Sequence, residues 1–214
     1  NFNRRVFFSN AHVRGLLRNF YTWGADGIYS FNFCCETIDN PSYVKRVHDI
    51  LQLDQESIWL GDASYFYLPI WRKEQSPSRA DQRWRTLRFG VEDIGQRQCF
   101  LFRMADGCEG QVLKGRLRFR VYNLHERDVL QIDLNGVVVS QDAIVARRKT
   151  NIHVAADTRY QGMHVPPHIA YEIDLMKCPP FCGENALGVT VVSRVGDIDS
   201  GCMMEAVEVD VGWD

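Results

Sequence analysis

The stretch VYNLHERDVLQIDLNGVVV, residues 121–139, decides the fold of most of the chain. Along it, Val129 to Leu134 and Val137 to Ser140, the latter ending one residue beyond, are β-rich runs separated by Asn135-Gly136. That dipeptide is the strongest short signal for a two-residue hairpin, because both central positions of the tight turn need positive φ. Just upstream, Leu117, Phe119 and Val121 alternate with Arg116, Arg118 and Arg120. A period of two places the apolar set on one face of a strand and the arginines on the other.

Outward from this segment, strands are expected over Gln98 to Met104, Arg116 to Asn123, Ile169 to Leu175, Leu187 to Ser193 and Ala206 to Val211. Gly183-Glu184-Asn185 makes a further turn before a Val-rich run, and Asp106-Gly107 makes another. Short strands with regular turn punctuation and no long helical period predict an all-β sandwich over residues 93–214.

The first part of the chain, residues 1–60, has a different character. Val13, Leu16, Leu17 and Phe20 recur at helical spacing, with Arg14, Arg18 and Asn19 on the other side. Gly24 is a natural helix stop, Asp26-Gly27 completes a tight turn, and Ile28 to Phe33 is a short apolar strand. Asn40-Pro41 then opens a second amphipathic helix carrying Val44, Val47, Ile50 and Leu51. Helix, strand, helix is the order of a parallel α/β barrel or doubly wound sheet. Such a barrel needs eight strands and about 250 residues, so residues 1–60 are expected to be only its end. Residues 61–92 form a segment between the two parts. Its aromatic run, Tyr65 to Trp71, fits packing between domains better than a sugar-stacking platform. Ser76-Pro77-Ser78 is the expected exposed loop tip.

Composition narrows the function classes. The 214 residues carry a formal net charge of −2, with 45% hydrophobic and 24% charged residues. No extended basic run marks a nucleic-acid footprint, and no apolar run approaches the roughly 20 residues of a membrane helix. Arg147-Arg148-Lys149 is read as a solvated loop rather than an anion site. The seven cysteines include Cys178 and Cys182 around a Pro-Pro-Phe loop, Cys99 and Cys108 around a turn, and Cys202 in a polar loop. Their placement in loops points to disulfides with the pairing left open, hence to an oxidising, extracellular or secretory setting. Cys34 and Cys35 are adjacent and do not suit each other, and no CxxC supports zinc.

Strand direction sorts the candidate catalytic groups. Asp26 precedes the expected barrel strand and falls on the stability face, whereas Asn32 and Glu36 follow it on the face where chemistry occurs. Glu36 is the one carboxylate placed to act as acid or base, and Asn32 can hydrogen-bond a substrate hydroxyl. A glycosidase needs two opposed carboxyl groups about 5–10 Å apart, so the chain is expected to be non-catalytic in this form. Asp197, Asp199 and Glu205, around Gly196 and Gly201, are oxygen donors for a structural calcium but lack the spacing of a dedicated loop, and a solvated hairpin is favoured. His164 and His168 have helical metal-pair spacing, yet Pro166-Pro167 between them forbids the helix. No phosphate cradle or serine-nucleophile elbow is present, and no cofactor is called for.

These residues carry a family resemblance. VYNLHERDVLQIDLNGVVV is similar to galactose-binding-like jelly rolls, in which a strand, a polar turn with Asp and a second strand ending in Asn-Gly recur. YEIDL (171–175) followed by GENALGVTVV (183–192) resembles a later segment of the same folds. Independently, GADGIYSFNF (24–33) resembles the last-strand region of uncharacterised glycoside-hydrolase-like barrels that end in such a sandwich. The Cys178-Pro-Pro-Phe-Cys182 lead-in departs from the pattern, as does the lack of seven further barrel strands.

The resemblance implies a mainly β chain with an α/β N-terminal part: a jelly roll preceded by the last helix-strand-helix piece of a TIM barrel. It implies a carbohydrate-binding or barrel-supporting role, with Asp128, Asn135, Gly136, Gly183, Glu184 and Asn185 architectural. Two other roles are carried alongside. One is a structural or protein-interaction sandwich without sugar binding. The other is a glycosidase whose barrel is completed by missing sequence or another chain.

Overall fold

The computed structural model describes residues 14–15, 17–18, 20–21, 24–27, 63–66, 87–104, 112–149, 152–154, 163–165, 167–195 and 201–213. Twelve strands run through them: β1 (Ala63–Phe66), β2 (Leu87–Phe89), β3 (Arg97–Met104), β4 (Val112–Tyr122), β5 (Val129–Leu134) and β6 (Val137–Val138). Then come β7 (Ile144–Lys149), β8 (Ile152–Val154), β9 (Met163–Val165), β10 (His168–Asp174), β11 (Gly183–Ser193) and β12 (Cys202–Trp213).

The Asn135-Gly136 hairpin forms as expected. Asn135 and Gly136 take φ of 56° and 83°, the left-handed pair that joins β5 to β6 with a twist matching the flanking strands. Around it, β3-β11-β5-β6 make a four-stranded antiparallel sheet. A six-stranded antiparallel sheet follows the order β1-β12-β4-β10-β7, with β2 also pairing β12. β8 and β9 pair separately.

Both large sheets contribute to one apolar core, giving a β-sandwich. Leu117, Phe119, Val121, Ile173 and Val209 come from one sheet, and Phe100, Ile132, Leu187 and Val189 from the other. The alternation on β4 predicted this: Leu117, Phe119 and Val121 are buried while the arginines between them lie on the outer face. Phe119 stacks on Tyr171 of β10 with ring centroids 5.0 Å apart.

One inward set breaks the period of two. On β12, Cys202 and Met204 are buried, then Val207, Val209 and Val211. The inward positions switch from even to odd numbers because the register with β4 shifts between Glu205 and Glu208. Such a bulge admits an extra residue and re-aims the rest of the strand. Only Ala206 to Val211 reads as a strand in the sequence, and that run begins inside the shift.

Other differences concern the segments flanking the expected strands. β1 and β2 come from residues 61–92, and both pair with β12. The segment expected to lie between two domains therefore supplies two strands of the larger sheet. Arg147-Arg148-Lys149 lies on β7, paired with β10, and is a strand rather than a loop.

At the N-terminal end, residues 14–15, 17–18 and 20–21 are helical. The helix stops as expected at Gly24, whose φ is 89°. Gly24 N donates to Tyr21 O at 2.9 Å and Ala25 N to Phe20 O at 3.1 Å, the paired bonds of a Schellman motif. The expected strand Ile28 to Phe33 and the second helix lie outside the described residues.

Candidate functional site

The larger sheet gathers charged and polar side chains on the outer face of β4, β10 and β7. β10 runs between the other two, so each of its outward residues sits in a three-residue row. His168 lies between Tyr122 and Lys149, Ala170 between Arg120 and Arg147, and Glu172 between Arg118 and Val145. Ala170 has almost no side chain, and the long cations beside it rise on either side. The result is a groove of about 310 Å³ with Ala170 in its floor, to which Glu208 of β12 also contributes. That volume lies at the lower end of small-ligand sites, about 300–1,000 Å³.

Its polar groups are arranged by charge. Arg118 Nε donates to Glu172 Oε2 at 2.9 Å, and Arg116 Nη1 lies 3.5 Å from Glu172 Oε1. One carboxylate is thus held upright by two guanidinium groups. Arg147 and Lys149 are exposed on β7. At the end of the row beyond Ala170, His168 is buried and its ring tilts against Tyr122, with centroids 5.4 Å apart. Guanidinium forks and an ammonium donate hydrogen bonds, and the carboxylates accept them. Together they suit a ligand rich in hydroxyl and anionic oxygens.

Of the residues expected to be architectural, Asp128, Asn135 and Asn185 tie loops and turns together. Asp128 Oδ2 accepts from His125 N at 2.9 Å and from Arg194 Nε at 3.2 Å, and its Oδ1 accepts from Val195 N at 2.7 Å. Burial pushes this carboxyl up, but the two amides and Arg194 outweigh burial and hold it below the usual carboxylate range. Asn185 accepts from Phe181 N at 2.7 Å and from Asn135 Nδ2 at 2.9 Å. Its own Nδ2 donates to Phe181 O and Gly183 O. Asn135 Oδ1 in turn accepts from Ala186 N at 2.8 Å. The Asn-Gly hairpin is thereby locked to the turn that opens β11.

A second charged cluster lies on the outer face of the smaller sheet. Arg97 Nε and Nη2 grip Asp133 at 2.7 and 2.6 Å, and Gly136 N donates to Asp133 Oδ1 at 3.0 Å. The Arg97 bond holds the Asp133 carboxyl below its ordinary range against the opposing effect of burial. Gly188 makes room for the pair, since a Cβ there would overlap the Asp133 carboxylate and lie 2.6 Å from Arg97 Nε. This bidentate bridge crosses the intervening strand β11 and fastens β3 to β5.

The other sequence candidates separate. Glu36, Asn32, Asp197, Asp199 and Cys108 lie outside the described residues. Glu205 is in β12, in register with Arg120 of β4. His164 and His168 stand on β9 and β10, with Pro166-Pro167 between those strands. Asp26 is exposed just beyond the helix stop. Among the described residues, no three His, Cys, Asp or Glu side chains gather in a metal-binding group.

Among the described residues, Cys99, Cys178, Cys182 and Cys202 are free thiols, so no bridge joins any two of them. Cys178 Sγ donates to Asp174 O at 3.2 Å, while the chain at Phe181 and Gly183 is shaped by the Asn185 amide rather than by a bridge. Arg97 Nη1 lies 2.6 Å from Cys99 Sγ, and burial pushes the Cys178 and Cys202 thiols up.

Sequence reasoning did not find the groove. Its lining comes from three strands separated by loops, and only their pairing aligns Arg120, Ala170 and Arg147. The available signal was a pair of cation alternations, Arg116/Arg118/Arg120 and Arg147/Lys149, each with a period of two. The fold and groove define an antiparallel β-sandwich with a polar, cation-lined sheet face. No protein-family model and no curated protein sequence matches the chain.

Proposed function

We propose that this chain is the non-catalytic C-terminal part of a glycoside-hydrolase-like protein, and that its sandwich is a galactose-binding-like jelly roll that binds carbohydrate in the groove on β4, β10 and β7. The single observation carrying this reading is the groove itself. It combines hydrogen-bond donors and acceptors around a small-residue floor, with Glu172 held by Arg116 and Arg118. A sugar presents dense hydroxyls that both donate and accept, which suits such a mixed lining. The similarity of residues 121–139, 171–175 and 183–192 to galactose-binding-like folds supports the same class.

Affinity gel electrophoresis of the full chain against a panel of neutral and acidic polysaccharides tests this. Retardation by at least one polymer, abolished by Ala170→Leu in the groove floor, is the expected result. Migration unchanged by every polymer refutes carbohydrate binding and leaves the structural or protein-interaction role. Hydrolysis of a glycoside by the purified chain refutes the non-catalytic part.

A further inference from the structure

We infer that the groove selects acidic glycans, with Arg147 and Lys149 of β7 receiving the anionic group; the inference rests on the carbohydrate-binding reading above. The charge of the lining supports it. Arg118, Arg120, Arg147 and Lys149 stand against Glu172 and Glu208 in a chain whose formal net charge is −2. The molecule as a whole carries slightly more acid than base, yet this face concentrates cations.

The cations are not equivalent. Arg116 and Arg118 are engaged by Glu172, and Arg148 lies 3.5 Å from Glu126 on the other face of β7. Arg147 and Lys149 face the groove, are exposed, and take part in no ion pair among the described residues. They are about 6.6–6.8 Å apart along one strand, and β4 lies two strand spacings away, about 9.5 Å. A ligand lying over Ala170 meets Arg147 on one flank and Arg120 on the other, with the Arg118–Glu172 pair in the next row. An anionic oxygen gains most from Arg147 and Lys149, whose charges no described carboxylate offsets, while Glu172 accepts from hydroxyls.

This mixture separates the ligand classes. A polyanion with a phosphate at every unit, such as a nucleic acid, would meet repulsion from Glu172 and Glu208 along the same groove. A sugar carrying one carboxylate or sulfate among several hydroxyls uses both halves of the lining. The shared chemistry is therefore an anionic group on a hydroxyl-rich ring.

Matched probes test it on the full chain by affinity electrophoresis and titration calorimetry. Polygalacturonate is compared with its methyl-esterified form, and dextran sulfate with dextran, so that charge changes on one sugar backbone. Binding to at least one charged polymer is expected to be about tenfold or more tighter than to its neutral partner, and to weaken as salt screens the exposed cations. Preference for polygalacturonate alone assigns the carboxylate, and preference for dextran sulfate alone assigns the sulfate. The double variant Arg147→Gln, Lys149→Gln should lose most of that preference while its denaturant midpoint stays where it was. Charged and neutral polymers bound equally would overturn the inference and leave carbohydrate binding standing, whereas no binding to any glycan would overturn both. Single-stranded DNA competing as well as the acidic glycan would also overturn it, showing an undiscriminating cationic surface.

Discussion

Replacing Asp128 by Ala should be among the most damaging single changes in the sandwich. The Asp128 side chain is 0% exposed and that of its partner Arg194 is 5% exposed. Asp128 joins the loop after β4 to the end of β11, through His125 N on one side and Arg194 and Val195 N on the other. Without the carboxylate, the Arg194 guanidinium is left buried without its counter-charge, and two backbone N–H groups lose their acceptor. Arg194 Nη2 still donates to Asn123 O at 2.6 Å, so part of its anchoring is kept while the Asp128 charge is lost. Breaking a buried pair in this way costs about 3–5 kcal/mol. Urea unfolding of the full chain measures it as a drop in midpoint at unchanged slope. In an Arg194→Met background the same substitution should cost only about 1–3 kcal/mol, because only amide acceptors are then lost. A loss under about 1 kcal/mol, or an equal loss in both backgrounds, would refute the coupling.

The same group sets a pH dependence. Its folded-state carboxyl is held below the ordinary value near 3.9, so its contribution is fully present above that value. It is lost as pH falls through the lower folded-state value. The stability gap between the parent chain and Asp128→Asn should therefore be constant near neutrality and shrink only below about pH 4.

Two further outcomes follow from close packing and from burial. Gly188→Ala would ordinarily gain about 0.5–1 kcal/mol in a strand interior. Here the new Cβ overlaps the Asp133–Arg97 pair, so a loss of about 1–3 kcal/mol is expected by thermal or urea unfolding, and a gain would sink the account of that pair. Among the described thiols, iodoacetamide under native conditions should modify exposed Cys182 well before Cys178 and Cys202, whose burial both shields them and disfavours the thiolate. Peptide mapping that finds Cys202 modified first would contradict the packing of β12.

Local chemistry made some of this structure legible in advance. Asn135-Gly136 needs no tertiary information to become a tight hairpin, since positive φ is intrinsic to those residues, and they adopt 56° and 83°. Gly24 likewise ends its helix through bonds to residues three and five positions back. The alternation along β4 correctly named its buried face, because one face of each strand must leave water.

Misreadings arose where neighbours decide. Arg147-Arg148-Lys149 has the composition of a loop, and it is a strand because β10 supplies its hydrogen-bond partners. The inward set on β12 is hidden from any fixed period by the bulge at Glu205–Glu208, which exists only in register with β4.

The sequence by itself determined that residues 93–214 would be β-rich, where the tight hairpin would fall, and which face of β4 would be apolar. These depend on φ preferences and on a period of two, which each residue carries with its immediate neighbours. Only the tertiary structure decided the groove. Arg120, Ala170 and Arg147 are far apart along the chain, and they share one row because β4 and β7 both pair with β10. Cross-strand register, set by the packing of the whole sandwich, is what turned two scattered cation alternations into opposite walls of one site.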